Sequence, residues 1–306
     1  MRRRSLLAVP LLLPLGARAQ AGVPVVASFS VLADMVATIG GPAVAVQAIV
    51  GPDRDAHGFA PRPSDQRAVG AARAVFANGL GFDPWMDRLV RAANFRGPLV
   101  KAADGVPIRT MRDTHGHGHG HGHRQGGAPR TVTDPHAWQD LGAAPVYARN
   151  ISDGLKRALP QEAAAIEARA ADFTARAAET DAWVRAQIAT VPADRRRVLT
   201  SHDAFGHFAA AYGVTFLSPQ GVSTESEPSA AEVARLIRQV REQDIRAVFM
   251  ENMANPRLIG QVAREAGVQV RGRLYADALS APGGSADTWL GMFRHNVPLL
   301  VQAMLG

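Results

Sequence analysis

The chain has 306 residues, 47% of them hydrophobic and 20% charged, and it contains no cysteine. That balance excludes a disordered or fibrous chain and suits one large globular domain or two moderate ones. Without cysteine there is neither a disulfide nor a thiolate ligand, so any metal site must use His, Asp or Glu.

The formal charge of +7 is concentrated at the start. Arg2-Arg3-Arg4, the apolar stretch Leu6 to Leu15 and Ala17-Arg18-Ala19 form the basic region, apolar core and small-residue site of a signal peptide over residues 1–19. The competing reading, an uncleaved membrane anchor, needs about 20 apolar residues and has far fewer. Losing Arg2, Arg3, Arg4 and Arg18 lowers the charge by four, to +3, and the remaining arginines are interspersed with acids. Nucleic acid is therefore not an expected partner. With no cysteine after the signal to carry a lipid, the exported chain is expected to be a soluble periplasmic protein with no lipid anchor.

In chain order, Val23 to Ser28 reads as a strand leading into a helix over Phe29 to Ile39. Ala43 to Val50, Ala74 to Ala77 and Pro98 to Lys101 read as further short strands, and Pro84 to Ala93 as a helix with Trp85, Leu89 and Val90 on one face. Short apolar strands alternating with helices predict a parallel α/β sheet. From Met111 to Thr131 the pattern stops, and a loop of about twenty residues is expected. Within it, over 112–131, His115, His117, His119, His121 and His123 alternate with glycine. Neutral imidazole is the commonest metal ligand among side chains, so the run suggests metal handling.

Ala143 to Leu159 has a helical stripe, and Pro160 suits the first turn of a second helix over Gln161 to Thr190. At 1.5 Å per residue that helix spans about 45 Å, long enough to be a backbone between two lobes, and its alanine-rich stripe is too thin for a coiled-coil zipper. Strands then resume at Arg197 to Ser201, Val214 to Leu217, Ala247 to Met250 and Val268 to Tyr275. Helices are expected over Ala204 to Tyr212, Ser229 to Gln243, Pro256 to Ala266 and Ala286 to Leu305. The division that follows is an N-terminal α/β lobe over 20–145, a helical segment over 146–192 and a C-terminal α/β lobe over 193–306. No sequence repeat links the two lobes.

Parallel sheets bind ligands beyond the carboxyl ends of their strands. Four metal-capable residues stand at such strand–loop junctions: His57, His136, His202 and Asp277. Two come from each half, which places a site in the cleft between lobes. Glu225, Glu227 and Glu251 stand at similar positions; caps or surface pairs are the first reading of them, and orienting a ligating histidine the second. His207 reads as a helix-face residue and His295 as structural.

The segments around these residues carry a resemblance. They are Asp55-Ala56-His57-Gly58-Phe59-Ala60-Pro61-Arg62-Pro63-Ser64-Asp65, Asn78-Gly79-Leu80-Gly81-Phe82 and Asp134-Pro135-His136-Ala137-Trp138. Further on come Ser201-His202-Asp203-Ala204-Phe205, Gly221-Val222-Ser223-Thr224-Glu225-Ser226-Glu227-Pro228 and Leu274-Tyr275-Ala276-Asp277. The mature chain resembles the metal-binding receptors of bacterial ABC importers, the family that collects zinc or manganese in the periplasm. The resemblance implies two small parallel-sheet lobes joined by one long helix, with His57, His136, His202 and Asp277 binding the ion.

Three imidazoles and one carboxylate make an N₃O set that suits Zn²⁺, whereas Mn²⁺ favours more oxygen. Relatives resembling manganese receptors carry a carboxylate where this chain has His202. Some zinc receptors have an acid directly before the first histidine; here that residue is Ala56, which leaves Asp277 as the fourth ligand. The resemblance further implies a monomeric, non-enzymatic receptor that hands Zn²⁺ to an ABC permease and can be loaded by a periplasmic zinc-donating protein. His115 through His123 would then be a low-affinity collecting arm. The alternatives are a manganese or iron receptor, a zinc hydrolase, for which no His-Glu-x-x-His motif exists here, and an adhesin-like surface protein.

Overall fold

The computed structural model describes residues 22–113, 130–225 and 228–306. Residues 1–19, read above as a signal peptide, the histidines 115 to 123 and Glu227 lie outside the described residues. Among those described, no helix is long and apolar enough to cross a membrane.

β1 (Val23–Phe29) is buried from Val25 onward, as a central strand covered on both faces must be. α1 (Ser30–Gly40) follows and ends where Gly41 takes a positive φ of 58°. The sheet continues with β2 (Val44–Val50), α2 (Pro63–Ala71), β3 (Val75–Ala77), α3 (Pro84–Ala92) and β4 (Leu99–Lys101). Its strand order is β2-β1-β3-β4, and every pairing is parallel. β5 (Thr110–Asp113) and β6 (Arg130–Thr133) then pair antiparallel as a separate ribbon.

α4 (Ala144–Ala158) leads to α5 (Ala163–Ala189), which at 27 residues is about 40 Å long. The second sheet is built from β7 (Arg197–Leu199), α6 (Gly206–Tyr212), β8 (Thr215–Leu217), α7 (Ala230–Glu242), β9 (Ala247–Glu251), α8 (Pro256–Ala266) and β10 (Val270–Leu274). α9 (Trp289–Leu305) closes the chain. This sheet runs β10-β9-β7-β8, all parallel. Each sheet thus has its first strand between its second and third. The two lobes share one topology although their sequences show no repeat.

Ile166, Ala170, Phe173, Ala177, Thr180, Val184 and Ile188 form the buried stripe of α5. It packs against α1 and α4 of the first lobe and α6 and α9 of the second. One apolar core runs from the first sheet through α5 to Phe208, Trp289 and Leu300 of the second lobe. A smaller core lies between the second sheet and α7 and α8.

The expected architecture holds, with four local corrections. Phe29 belongs to β1, not α1, because it is still in register with Val50. α2 was not anticipated: Pro63 opens it, and Asp65 accepts the Arg62 backbone N–H at 2.7 Å. The 111–131 loop is a ribbon at its base, since Thr110 to Asp113 and Arg130 to Thr133 form a ladder. The long helix starts at Ala163 because Pro160–Glu162 winds as a 3-10 turn.

Candidate metal centre

His57 lies in the loop after β2, His202 just after β7 and Asp277 just after β10, at carboxyl ends of parallel strands. His136 follows the antiparallel β6 instead and opens a 3-10 turn over Ala137–Gln139. From these separate elements the four side chains converge. Asp277 Oδ2 lies 3.0 Å from His57 Nε2 and 3.0 Å from His202 Nε2. His136 Nε2 is 3.4 Å from His57 Nε2 and 3.7 Å from Asp277 Oδ1. One ligand atom from each lies within 4.8 Å of all the others. Four ligands at ~2.0–2.1 Å around a tetrahedral ion stand about 3.3–3.4 Å apart, so a modest adjustment closes this set on an ion.

The histidine backbones are each held by a carboxylate. Asp55 Oδ1 accepts the His57 N–H at 2.9 Å, and Asp134 Oδ1 accepts the His136 N–H at 3.0 Å. Both are Asp-x-His turns in which the acid bonds the amide two residues on. Glu251 Oε1 accepts the N–H groups of Ser201 at 2.8 Å and His202 at 3.0 Å.

For two of the histidines the same carboxylate also meets the ring. Asp134 Oδ1 is 2.8 Å from His136 Nδ1. Glu251 Oε2 is 2.5 Å from His202 Nδ1, a close charge contact that is not aligned as a hydrogen bond. A carboxylate at Nδ1 keeps the proton there and turns the Nε2 lone pair toward the centre, the tautomer a ligand requires. Glu251, first read as a cap or surface residue, is therefore a buried orienting group. Asp134 was overlooked in that role, although the repeated Asp-x-His spacing signals it.

Burial and charge oppose each other here. Burial alone would lower the His202 pKa, but Glu251 and Asp277 outweigh it and hold the imidazole well above its ordinary value. Burial would raise the Asp277 pKa, but His202 and His136 keep its carboxyl well below the usual range. Asp277 Oδ1 is buried and has no hydrogen-bond partner. An uncompensated buried carboxylate oxygen among imidazoles fits a cation.

The ligand side chains are sealed except at His57, which is 5% exposed while the other three are at 0%. His57 borders a cavity of about 660 Å³ lined also by Phe82, Thr133, Val222 and Glu225. Glu225 lies over Gly58 at this mouth and, among the described residues, hydrogen-bonds no ligand. His207 is buried on α6 with Nε2 3.3 Å from the Asp134 carbonyl oxygen. His295 meets the Arg273 carbonyl oxygen and the Tyr275 ring, a structural role.

Comparison with known proteins agrees with this geometry. The family described as ZnuA, zinc-uptake complex component A, periplasmic, matches residues 25–303. The manganese-binding lipoprotein MntA of Halalkalibacterium halodurans is 29% identical over 92% of this chain and 89% of its own. The metal ABC transporter substrate-binding lipoprotein SloC of Streptococcus mutans is 24% identical over 92% and 89%. The zinc-binding protein TroA of Treponema pallidum is 27% identical over 92% and 88%. The TroA structure superposes with a TM-score of 0.83 at 26% identity, covering 92% of this chain and 99% of that one.

These relatives correct one expectation. MntA and SloC are named lipoproteins, against the reading of a receptor with no lipid anchor. With the family matched along nearly the whole fold and four ligand-type residues gathered between its lobes, the chain belongs to the ZnuA family of metal-binding receptors of ABC importers.

Proposed function

We propose that the chain is a zinc receptor that holds Zn²⁺ through His57, His136, His202 and Asp277 and passes it to an ABC permease. The observation that carries this reading is the donor set: three imidazole nitrogens and one carboxylate within 4.8 Å, sealed from solvent except beside His57. N₃O at tetrahedral spacing suits Zn²⁺, and a histidine rather than a carboxylate at 202 moves the set away from manganese. The task is binding and release, so no group need act on a substrate. Four protein ligands also fill a zinc ion's usual positions, leaving none for the activated water a hydrolase requires.

A second reading, a manganese receptor, is favoured by the MntA likeness. Equilibrium dialysis of metal-free protein against equal zinc and manganese decides between them. One tightly held zinc per chain supports the proposal, and preferential retention of manganese rejects it. The run from His115 to His123 is read as a loose collecting arm, on sequence chemistry alone. Deleting residues 114–124 should leave the tight site intact.

A further inference from the structure

Two ligands from opposite lobes are tied together by the protein itself. The carbonyl oxygen of Ala276, directly before Asp277, accepts Trp138 Nε1–H at 2.9 Å and Gln139 Nε2–H at 2.8 Å. Both donors lie within three residues of His136. A carbonyl oxygen has two lone pairs, so both are engaged. Trp138, Gln139 and Ala276 are all buried, which leaves no water to replace a lost donor.

The brace is itself held from both sides. Trp289 donates its indole N–H to the Trp138 carbonyl oxygen at 2.9 Å and its backbone N–H to Asp34 at 2.7 Å. Its ring stacks on Phe173 of α5 with centroids 5.2 Å apart. On the other flank, Asn296 accepts the Tyr275 N–H at 3.0 Å and donates to the Tyr275 carbonyl oxygen at 2.7 Å. The Trp138 ring packs against Phe29, Phe82 and His136 at 4.8, 4.7 and 5.2 Å.

Inside this frame Asp277 turns Oδ2 toward His57 and His202, while Oδ1 stands 3.7 Å from His136 Nε2 with no hydrogen bond. A small shift of Asp277 relative to His136 decides whether one carboxylate oxygen or both can reach an ion. One oxygen gives a four-coordinate site. Two give a higher coordination number and a larger oxygen share, as manganese prefers. Ligand sets must be held within about 0.5 Å to discriminate at that level.

We propose that Trp138 and Gln139 are positioning residues that set metal selectivity: by clamping the Ala276 carbonyl oxygen they fix Asp277 relative to His136, so that the carboxylate offers one oxygen and the site takes a small four-coordinate ion over a larger, oxygen-preferring one. This rests on the ligand assignment proposed above.

The test compares wild type with Q139M and W138F/Q139M, which remove N–H donors while keeping apolar bulk. Zinc and manganese affinities are measured by chelator competition, and the visible absorption of the Co²⁺-loaded protein reports coordination number. The expected result is a zinc affinity about tenfold weaker or more, a manganese affinity changed less than about threefold, and a weaker Co²⁺ band. Equal losses for both metals, or no change for either, overturn the inference while leaving the proposed function standing. If the double variant does not melt as a folded protein, Q139M alone is judged by the same criteria. A wild type that prefers manganese, or a D277A variant that keeps full zinc affinity, overturns the proposed function and this inference together.

Discussion

His57, His136 and His202 supply the same atom, Nε2, yet they are not held alike. Asp134 and Glu251 clamp the Nδ1 of His136 and His202, whereas Asp55 holds only the His57 backbone and gives its other oxygen to Thr224 of the second lobe. Outer carboxylates of this kind are typically worth about 10–100-fold in metal affinity. Glu251→Gln and Asp134→Asn should each weaken zinc binding by that order in chelator competition. An unchanged affinity would show that the clamps do not orient the ligands. Proton competition centres on His202. Its pKa in the fold lies above the unfolded value of about 6.5, so the charged imidazole stabilises the metal-free fold below that pH. This stabilisation is lost as pH rises through the folded value. Zinc must displace the Nε2 proton, so over the same window its affinity should rise about tenfold per pH unit. Calorimetry in buffers of different ionisation enthalpy should show protons released as zinc binds, and none released would contradict this.

The elements bring these residues together through close approaches that tolerate little change. Gly206, the first residue of α6, has no side chain where Asp134 Oδ2 passes, and a Cβ there would overlap that oxygen. Gly206→Ala should push Asp134 off His136 and weaken zinc binding about tenfold or more, with the metal-free melting point tracked as a control. Affinity retained in a folded Gly206→Ala protein would contradict this coupling. The same close contacts explain what could be read from the chain alone. His57, His202 and Asp277 were legible because each follows a short apolar strand, and strand ends are where such sheets bind. His136 was placed at a strand end by the same rule, but the strand before it belongs to a small antiparallel ribbon, which the chain alone did not reveal. Glu251 was ambiguous because the terminal acid of a buried strand looks the same whether it caps a loop or meets a ring 49 residues away. α2 was missed because Pro61-Arg62-Pro63 reads as a break, although Pro63 in fact opens the helix.

At the scale of the molecule, the lobes are joined by more than α5. The core continues from the first sheet to α9, and Trp138 and Trp289 bond in opposite directions across the interface. Such a body should fold without metal and rearrange little on binding it. The ion then acts as an added crosslink. At free zinc about 1,000-fold above Kd, stability should rise by about 4 kcal/mol, or roughly 10 °C in melting temperature for a chain of this size. A melting point indifferent to zinc would show that these four residues do not hold the ion. The most direct measurement is zinc K-edge X-ray absorption on protein lacking residues 114–124 and loaded with one equivalent of zinc. The expected result is a four-coordinate ion with three imidazoles and one carboxylate oxygen at about 2.0–2.1 Å. Fewer than three imidazoles, or a six-coordinate oxygen-rich shell, would contradict it.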